Sequence, residues 1–282
     1  MDVIARFVKY SFAFQGVAGA YSELSGRAFL GARATGLACA EFEDVFRAVT
    51  RGKARFGVLP IENSLTGSIH QNFDLLLKYR VWICGEIISR ISHSLLCHPK
   101  SKLSTLREVY SHPQALWQCQ NYLSKHKNLR SVPYFDTAGA AKYIHESNSL
   151  IAAAIASPLA AKYYGLRILR TGIEDSNTNH TRFVVLSLKK IRPKGTQCKT
   201  SVAFSLKSVP GALHAALGVF AERGLQLTKV ESRPISGTPW EYHFYLDFVG
   251  ATHTSRSTEA LSSLKNFATS VRVLGSYPSA RS

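Results

Sequence analysis

Over its first 190 residues the chain alternates short apolar runs with amphipathic stretches of helical period, the pattern of a sheet with crossover helices. An α/β class follows. SFAFQG reads as a strand closed by a glycine turn, AYSELSGRAFLG as a helix, RFGVLPIEN as a strand running into a loop, and VWICGEIISRISHSLLCHP as extended, bridging structure. LREVYSHPQALWQCQNYLSKH reads as strand then helix, with Ser111 as N-cap and Gln114 three residues later in the capping-box position. DTAGAAKYIHES repeats the device with Asp136 as cap. ASPLAAKYYGL does so again, with Ser157 as cap, Pro158 at the first helical position and Gly165 as the stop. Three helix N-termini thus follow strand ends. Their free N–H groups and positive dipole ends suit a carboxylate, and in α/β folds they line the cleft at the carboxyl edge of the sheet.

The pattern breaks at KKIRPKGTQCK, so residues 191–199 are predicted to be a linker between a first domain, 1–190, and a second, 200–282. From Thr200 the order is a strand (TSVAFSL), a helix (PGALHAALGVFAERG), two strands (LQLTKVESRP and WEYHFYLDFVG), a helix (TEALSSLKNFA) and a last strand (SVRVLGSY). This βαββαβ order is the ferredoxin-like split unit.

Composition removes several function classes. A chain of 282 residues that is 45% hydrophobic builds two or three cores. No apolar run approaches the roughly 20 residues of a membrane helix, and the start MDVIARFVKYSFAF lacks the apolar core and cleavage site of a leader. No membrane is expected as a partner, and a cytoplasmic location is; a plastid-stroma protein stripped of its transit peptide would look the same. The five cysteines are odd in number and scattered without a C-x-x-C pair, which argues for reduced thiols. The formal net charge of +17 is spread, with 24 basic and 13 acidic residues before position 191 and 11 and 5 after it. No block of five or six like charges and no paired Cys/His finger occurs, so nucleic acid is not expected as a partner. No histidine spacing such as H-E-x-x-H and no G-x-S-x-G elbow is present, which leaves metal and serine-hydrolase chemistry unsupported.

Four segments carry more polarity than a connection needs. In Phe14-Gln15-Gly16-Val17-Ala18-Gly19-Ala20-Tyr21-Ser22, two glycines three apart would let backbone N–H groups approach an anion, or simply make a strand-to-helix turn. The run from Pro60 to Ser68 holds Glu62, Asn63 and Ser64 directly after an apolar strand. Gln118 lies one helical turn after Gln114 and faces the same way. Asn177-Thr178-Asn179-His180-Thr181-Arg182-Phe183 places Thr181 and Arg182 at the entrance of the strand FVVLSL.

Taken in order, FQGVAGAYSE, LPIENSLTGSIHQNFDLL, ISHSLL, SHPQALWQC, DTAGAA, NTNHTRF, PGALH, LTKVESRP and LGSYP resemble the prephenate dehydratases over nearly the whole chain. The resemblance implies a catalytic region like the two-lobed periplasmic binding proteins, with the active site between lobes, and an ACT domain at the C-terminus. The implied reaction converts prephenate to phenylpyruvate, carbon dioxide and water, or arogenate to phenylalanine. Aromatisation drives it, and no cofactor or metal is required. Thr181 is implied to be the essential threonine and Arg182 the carboxylate-binding arginine. A free threonine hydroxyl is too weak an acid to protonate anything unaided. Thr181 is therefore expected to orient the leaving hydroxyl, with the net proton relayed through Glu62 or water. Arg182 offers planar bidentate geometry that lysine lacks. Asn63 joins these catalytic candidates, and Ser64, Ser111, Gln118, Asp136, Thr137 and Phe183 match polar or adjoining positions that would contact substrate.

In the tail, Gly211-Ala212-Leu213-His214 and Glu231-Ser232-Arg233-Pro234 match the family's two phenylalanine-binding motifs, although Gln226 stands where many relatives carry a smaller residue. Such sites form between paired ACT domains, so a homodimer or homotetramer is implied. The competing reading is a non-catalytic binder of an amino acid or carboxylate, because the two-lobed fold is shared with solute-binding proteins.

Overall fold

The computed structural model describes residues 9–193, 195, 197–235 and 237–280. The first eight residues, and Lys194 and Thr196 of the predicted linker, lie outside the described residues. Contacts divide the chain into two compact units. One holds residues up to Ser68 together with Ile88–Phe183, and the other holds Ile69–Ile87 with Val184–Ser282.

The elements up to the predicted linker run β1 (Tyr10–Gln15), α1 (Tyr21–Leu30), β2 (Gly36–Cys39), α2 (Phe42–Thr50), β3 (Ala54–Asn63), β4 (Gly67–Ser68), α3 (His70–Lys78), β5 (Trp82–Arg90) and β6 (Ser94–Cys97). They continue as β7 (Glu108–Ser111), α4 (Pro113–Gln118), α5 (Gln120–Ser124), β8 (Arg130–Pro133), α6 (Thr137–Ser147), β9 (Ala152–Ala156), α7 (Pro158–Tyr164), β10 (Arg167–Thr171) and β11 (His180–Ser187).

The first unit has two lobes. One is built on β2, β1, β3 and the first residues of β11, the other on the sheet β10-β6-β9-β7-β8. β1 pairs in parallel with both β2 and β3, and its Phe12 and Phe14 are buried. A strand covered on both faces needs such an apolar run. β9 is wholly buried Ala-Ala-Ala-Ile-Ala, and the small side chains let Ala138, Ala140 and Ala141 of α6 pack close to it.

Two of the three predicted caps form. Asp136 accepts from the Gly139 N–H, and Ser157 accepts from the Ala160 N–H at 3.1 Å, with Pro158 following and Gly165 ending α7 in the left-handed region. The third does not. Ser111 is the last residue of β7, buried, and its hydroxyl donates to the Ile155 carbonyl at 2.6 Å. His112 caps α4 instead, its Nδ1 accepting from the Gln114 N–H at 3.2 Å. Pro113 decides this: proline belongs at the first helical position, so the cap must be the residue before it.

Of the two readings of the Gly16–Gly19 segment, the structure shows the strand-to-helix turn, between β1 and α1. The Gly19 N–H is held at 2.8 Å by the chain's own Glu23 carboxylate, which Arg27 and Tyr163 also bind. Gly19 has φ +91°, and a Cβ there would lie 2.5 Å from the Ala160 Cα, so the glycine serves a close approach between the lobes.

The second unit carries β12 (Cys198–Leu206), α8 (Ala212–Ala221), β13 (Leu227–Pro234), β14 (Tyr242–Val249), α9 (Ser255–Leu264) and β15 (Ala268–Pro278), the predicted βαββαβ order. Its antiparallel sheet runs β13-β14-β12-β15. Val202, Phe204, Leu246 and Phe248 bury one face under Ala216, Phe220, Ala260 and Leu264 of the two helices. α3 and much of β5 belong to this unit as well. The Tyr245 hydroxyl donates to the Phe73 carbonyl at 3.0 Å, and Arg272 donates to the Leu77 and Tyr79 carbonyls that end α3.

Candidate active site

β3 ends at Asn63 and β11 begins at His180, and these two strand ends hold the site. Asn63 is buried. Its Oδ1 accepts from the Leu65 and Thr66 N–H groups at 3.0 and 3.2 Å, which orients the amide without ambiguity. Its Nδ2 donates to the Thr181 hydroxyl oxygen at 2.9 Å and to Asn179 Oδ1 at 2.8 Å. From the other lobe, Gln118 at the end of α4 reaches Asn179 at 3.0 Å, and His93 approaches the same Gln118 oxygen at 3.0 Å. Gln118 and Asn179 then face a cavity of about 250 Å³ walled by Leu65 and Trp117 and edged by Glu174 and Asp175. Gln114, one turn before Gln118, bridges to the Thr66 hydroxyl at 3.2 Å.

The remaining candidates fall elsewhere or are already engaged. Ser64 fastens the two strand ends together: its hydroxyl donates to the Thr178 carbonyl at 2.7 Å and accepts from the His180 N–H at 2.9 Å. Ser111 sits in the β7 ladder, and Asp136 spends an oxygen on its cap beside Thr137. Phe183 is buried in the core. The pleat of β11 sends Thr181 and Arg182 to opposite sides of the strand. Arg182 lies 3.9 Å from Glu62, the residue before Asn63, at the same pair of strand ends.

Asn179, His93, Tyr21 and Glu174 were not among the candidates. Asn179 had a signal, since a residue two before Thr181 shares its side of an extended chain. Tyr21 and His93 are separated by 72 positions and meet through the fold alone, the Tyr21 hydroxyl lying 2.9 Å from His93 Nδ1. Burial lowers the His93 pKa against the opposing effects of Gln118 and Glu174, and it raises that of Tyr21 well above the ordinary value. Burial would raise the Glu174 pKa too, but the His93 N–H donating to it at 2.8 Å and further hydrogen bonds bring it below the usual value.

In the second unit, Gly211 caps α8 with φ +79°, and Ala212, Leu213 and His214 form the first turn. β13 is an edge strand of alternating exposure that splits the other motif. Glu231 and Arg233 turn to α3, where Glu231 meets His70 at 3.1 Å and Arg233 meets Asp74 at 2.6 Å, while Ser232 and Pro234 turn outward.

A two-lobed α/β domain with a cleft of directed, mainly uncharged donors, followed by a βαββαβ domain, defines a two-lobed catalytic domain with an appended ACT domain. The chain belongs to the prephenate dehydratase family: that family's model matches residues 12–191, and the ACT domain model matches residues 200–266. It is 46% identical to the Arabidopsis thaliana protein described as arogenate dehydratase/prephenate dehydratase 2, chloroplastic, over 94% of this chain and 72% of that one. The solved prephenate dehydratase of Arthrobacter aurescens in complex with L-Phe superposes with a TM-score of 0.88 at 32% identity, covering 95% of this chain and 89% of that one. A structure described as a novel type of quorum-quenching acylase gives a TM-score of 0.87 at 36% identity, covering 95% and 97%. The chain is a dehydratase of this family that carries its regulatory domain type.

Proposed function

We propose that the chain takes arogenate or prephenate as substrate and releases the ring carboxylate as carbon dioxide and the hydroxyl as water, with Thr181 donating a hydrogen bond to the departing hydroxyl and water relaying the one net proton it needs. One observation carries this reading. Thr181 Oγ1 already accepts from Asn63, and among the described residues no acceptor takes its own proton, so the hydroxyl is set to donate. Gln118 adds a second donor, and Arg182 is assigned to a substrate carboxylate in exchange for Glu62. Ser64, Ser111, Asp136, Thr137 and Phe183 are assigned to the frame around the cleft.

Residues 1–190 form the catalytic domain in this proposal and 200–282 the regulatory one, joined by 191–199. Phenylalanine is the effector, bound near Gly211–His214 and Glu231–Pro234 in a homodimer or homotetramer, and the plastid stroma is the working location. The test is turnover of both substrates by purified protein, with and without phenylalanine. Phenylpyruvate or phenylalanine as product supports the proposal, and the ratio of kcat/KM values names the substrate. Turnover of acylated amines in place of both would support the acylase reading that the 36% identical structure raises.

A further inference from the structure

We infer that His93 is a positioning residue for the dehydration, and that it acts by holding the Gln118 amide with its NH2 group toward the cleft. The inference rests on the proposed roles of Thr181 and Gln118. Neither His93 nor Tyr21 needs to touch substrate.

The argument starts from groups whose polarity is beyond question. Backbone N–H groups only donate, so the Leu65 and Thr66 amides, 3.0 and 3.2 Å from Asn63 Oδ1, define that atom as the acceptor. Asn63 Nδ2 is then the donor to Thr181 Oγ1 and to Asn179 Oδ1. With its oxygen so used, Asn179 presents Nδ2 to Gln118 at 3.0 Å, and Gln118 must answer with Oε1. The atom of His93 that lies 3.0 Å from the same oxygen, Nε2, must therefore carry a hydrogen. The ring is buried and held neutral, which leaves Nδ1 without a proton and makes it an acceptor. Facing it at 2.9 Å is the Tyr21 hydroxyl, whose single proton is shared with the Ser92 carbonyl at 2.7 Å. Each bond from Asn63 to His93 Nε2 thus has one allowed direction, while the Tyr21 proton can go to Nδ1 or to the Ser92 carbonyl.

The consequence appears at the cleft. Gln118 Oε1 is saturated by two donors, so its NH2 group is turned away from them, and among the described residues nothing accepts from it. Gln118 lines the cavity, where that NH2 meets a bound substrate. Were His93 to carry its proton on Nδ1, a lone pair would oppose Gln118 Oε1. The amide would be driven to turn over, placing an acceptor in the cleft where the reaction needs a donor. Gln118 Oε1, held as an acceptor by Asn179, favours the Nε2–H tautomer, and the Tyr21 hydroxyl can meet Nδ1 with its proton.

The test combines kinetics on the intact chain with nuclear magnetic resonance of 15N-labelled histidine. The Gln118→Glu variant keeps an acceptor for His93 and Asn179 but loses the NH2 donor. His93→Leu removes the donor to Gln118, and His93→Gln restores one near the Nε2 position. We expect His93→Leu to lower kcat about tenfold or more with a smaller change in KM, His93→Gln to recover most of that loss, and His93→Leu to add little in the Gln118→Glu background. Full additivity of His93→Leu with Gln118→Glu would overturn the inference, because His93 would then act independently of the amide. The 15N spectrum should show His93, identified by its loss in His93→Gln, protonated on Nε2 and unprotonated on Nδ1 in the wild-type chain. A wild-type His93 protonated on Nδ1, or on both nitrogens, overturns it even if the leucine variant fails to fold. Should neither substrate turn over, the functional proposal fails while the spectrum still decides the tautomer.

Discussion

Thr181 is held by one donor and keeps one proton to give, which makes its substitution the most direct test at the scale of single residues. Thr181→Ala should lower kcat by about 10²- to 10³-fold with KM changed little, and Thr181→Ser should retain more activity than alanine. Steady-state rates with both substrates measure this, and near-wild-type kinetics in Thr181→Ala would remove the assigned role. Arg182→Lys should act on binding, raising KM more than it lowers kcat, because the planar fork is lost. His93 makes a pH prediction. Its folded pKa lies below the unfolded value of about 6.5, so at acidic pH the unfolded chain binds more protons than the folded one. Its contribution is to lower stability as pH falls through about 6.5 toward the folded value, and nothing above that range, where both states are neutral. Comparing denaturant midpoints of the wild-type chain and His93→Gln at about pH 5 and about pH 7.5 checks it. The acid-side loss should be smaller in the variant.

At the scale of elements, two glycines mark where backbones meet. A Cβ at Gly19 would lie 2.5 Å from the Ala160 Cα and the residue has φ +91°; one at Gly275 would lie 2.1 Å from the Ile83 carbonyl oxygen, where β15 meets β5. Gly19→Ala and Gly275→Ala should each cost about 2 kcal/mol or more, read from denaturant unfolding. Asp136→Ala should cost about 1 kcal/mol, the value of a lost N-cap, with kcat little changed if capping is its main work. The caps also show where local reading ends. Ser157 and Asp136 were legible because a cap needs only its own next three residues. Ser111 carried the same signature, but Pro113 moved the cap to His112 and the ladder to β9 took the serine hydroxyl inward.

Over the whole molecule, the segment Ile69–Ile87 groups with the C-terminal sheet although it follows the Pro60–Ser68 segment directly in sequence. α3 within it holds Glu231 and Arg233 of the proposed effector motif through His70 and Asp74. Phenylalanine should therefore raise the melting temperature of the intact chain, as any ligand of the folded state does, and the rise should shrink in Arg233→Ala. Thermal scans across a phenylalanine series measure it, and a Tm independent of phenylalanine would remove the effector assignment. Deleting the C-terminal domain is a poorer test, since it would bare the Phe73 ring that packs on Tyr245 at 4.8 Å.

The sequence by itself determined the periodicities: strands and helices in order, two of three caps, the βαββαβ tail, and the resemblance that led to the family. These depend on neighbours within a few positions, where period, propensity and capping chemistry act. It also marked Asn63, Gln118 and Thr181 as polar residues in suspicious places. Only the tertiary structure decided that they form one series with Asn179 that ends on His93 and Tyr21, and that Arg182 pairs with Glu62. The physical reason is that a hydrogen bond's direction is set by the partner across space. The partners here come from strands and helices separated by 25 to 118 positions in the chain.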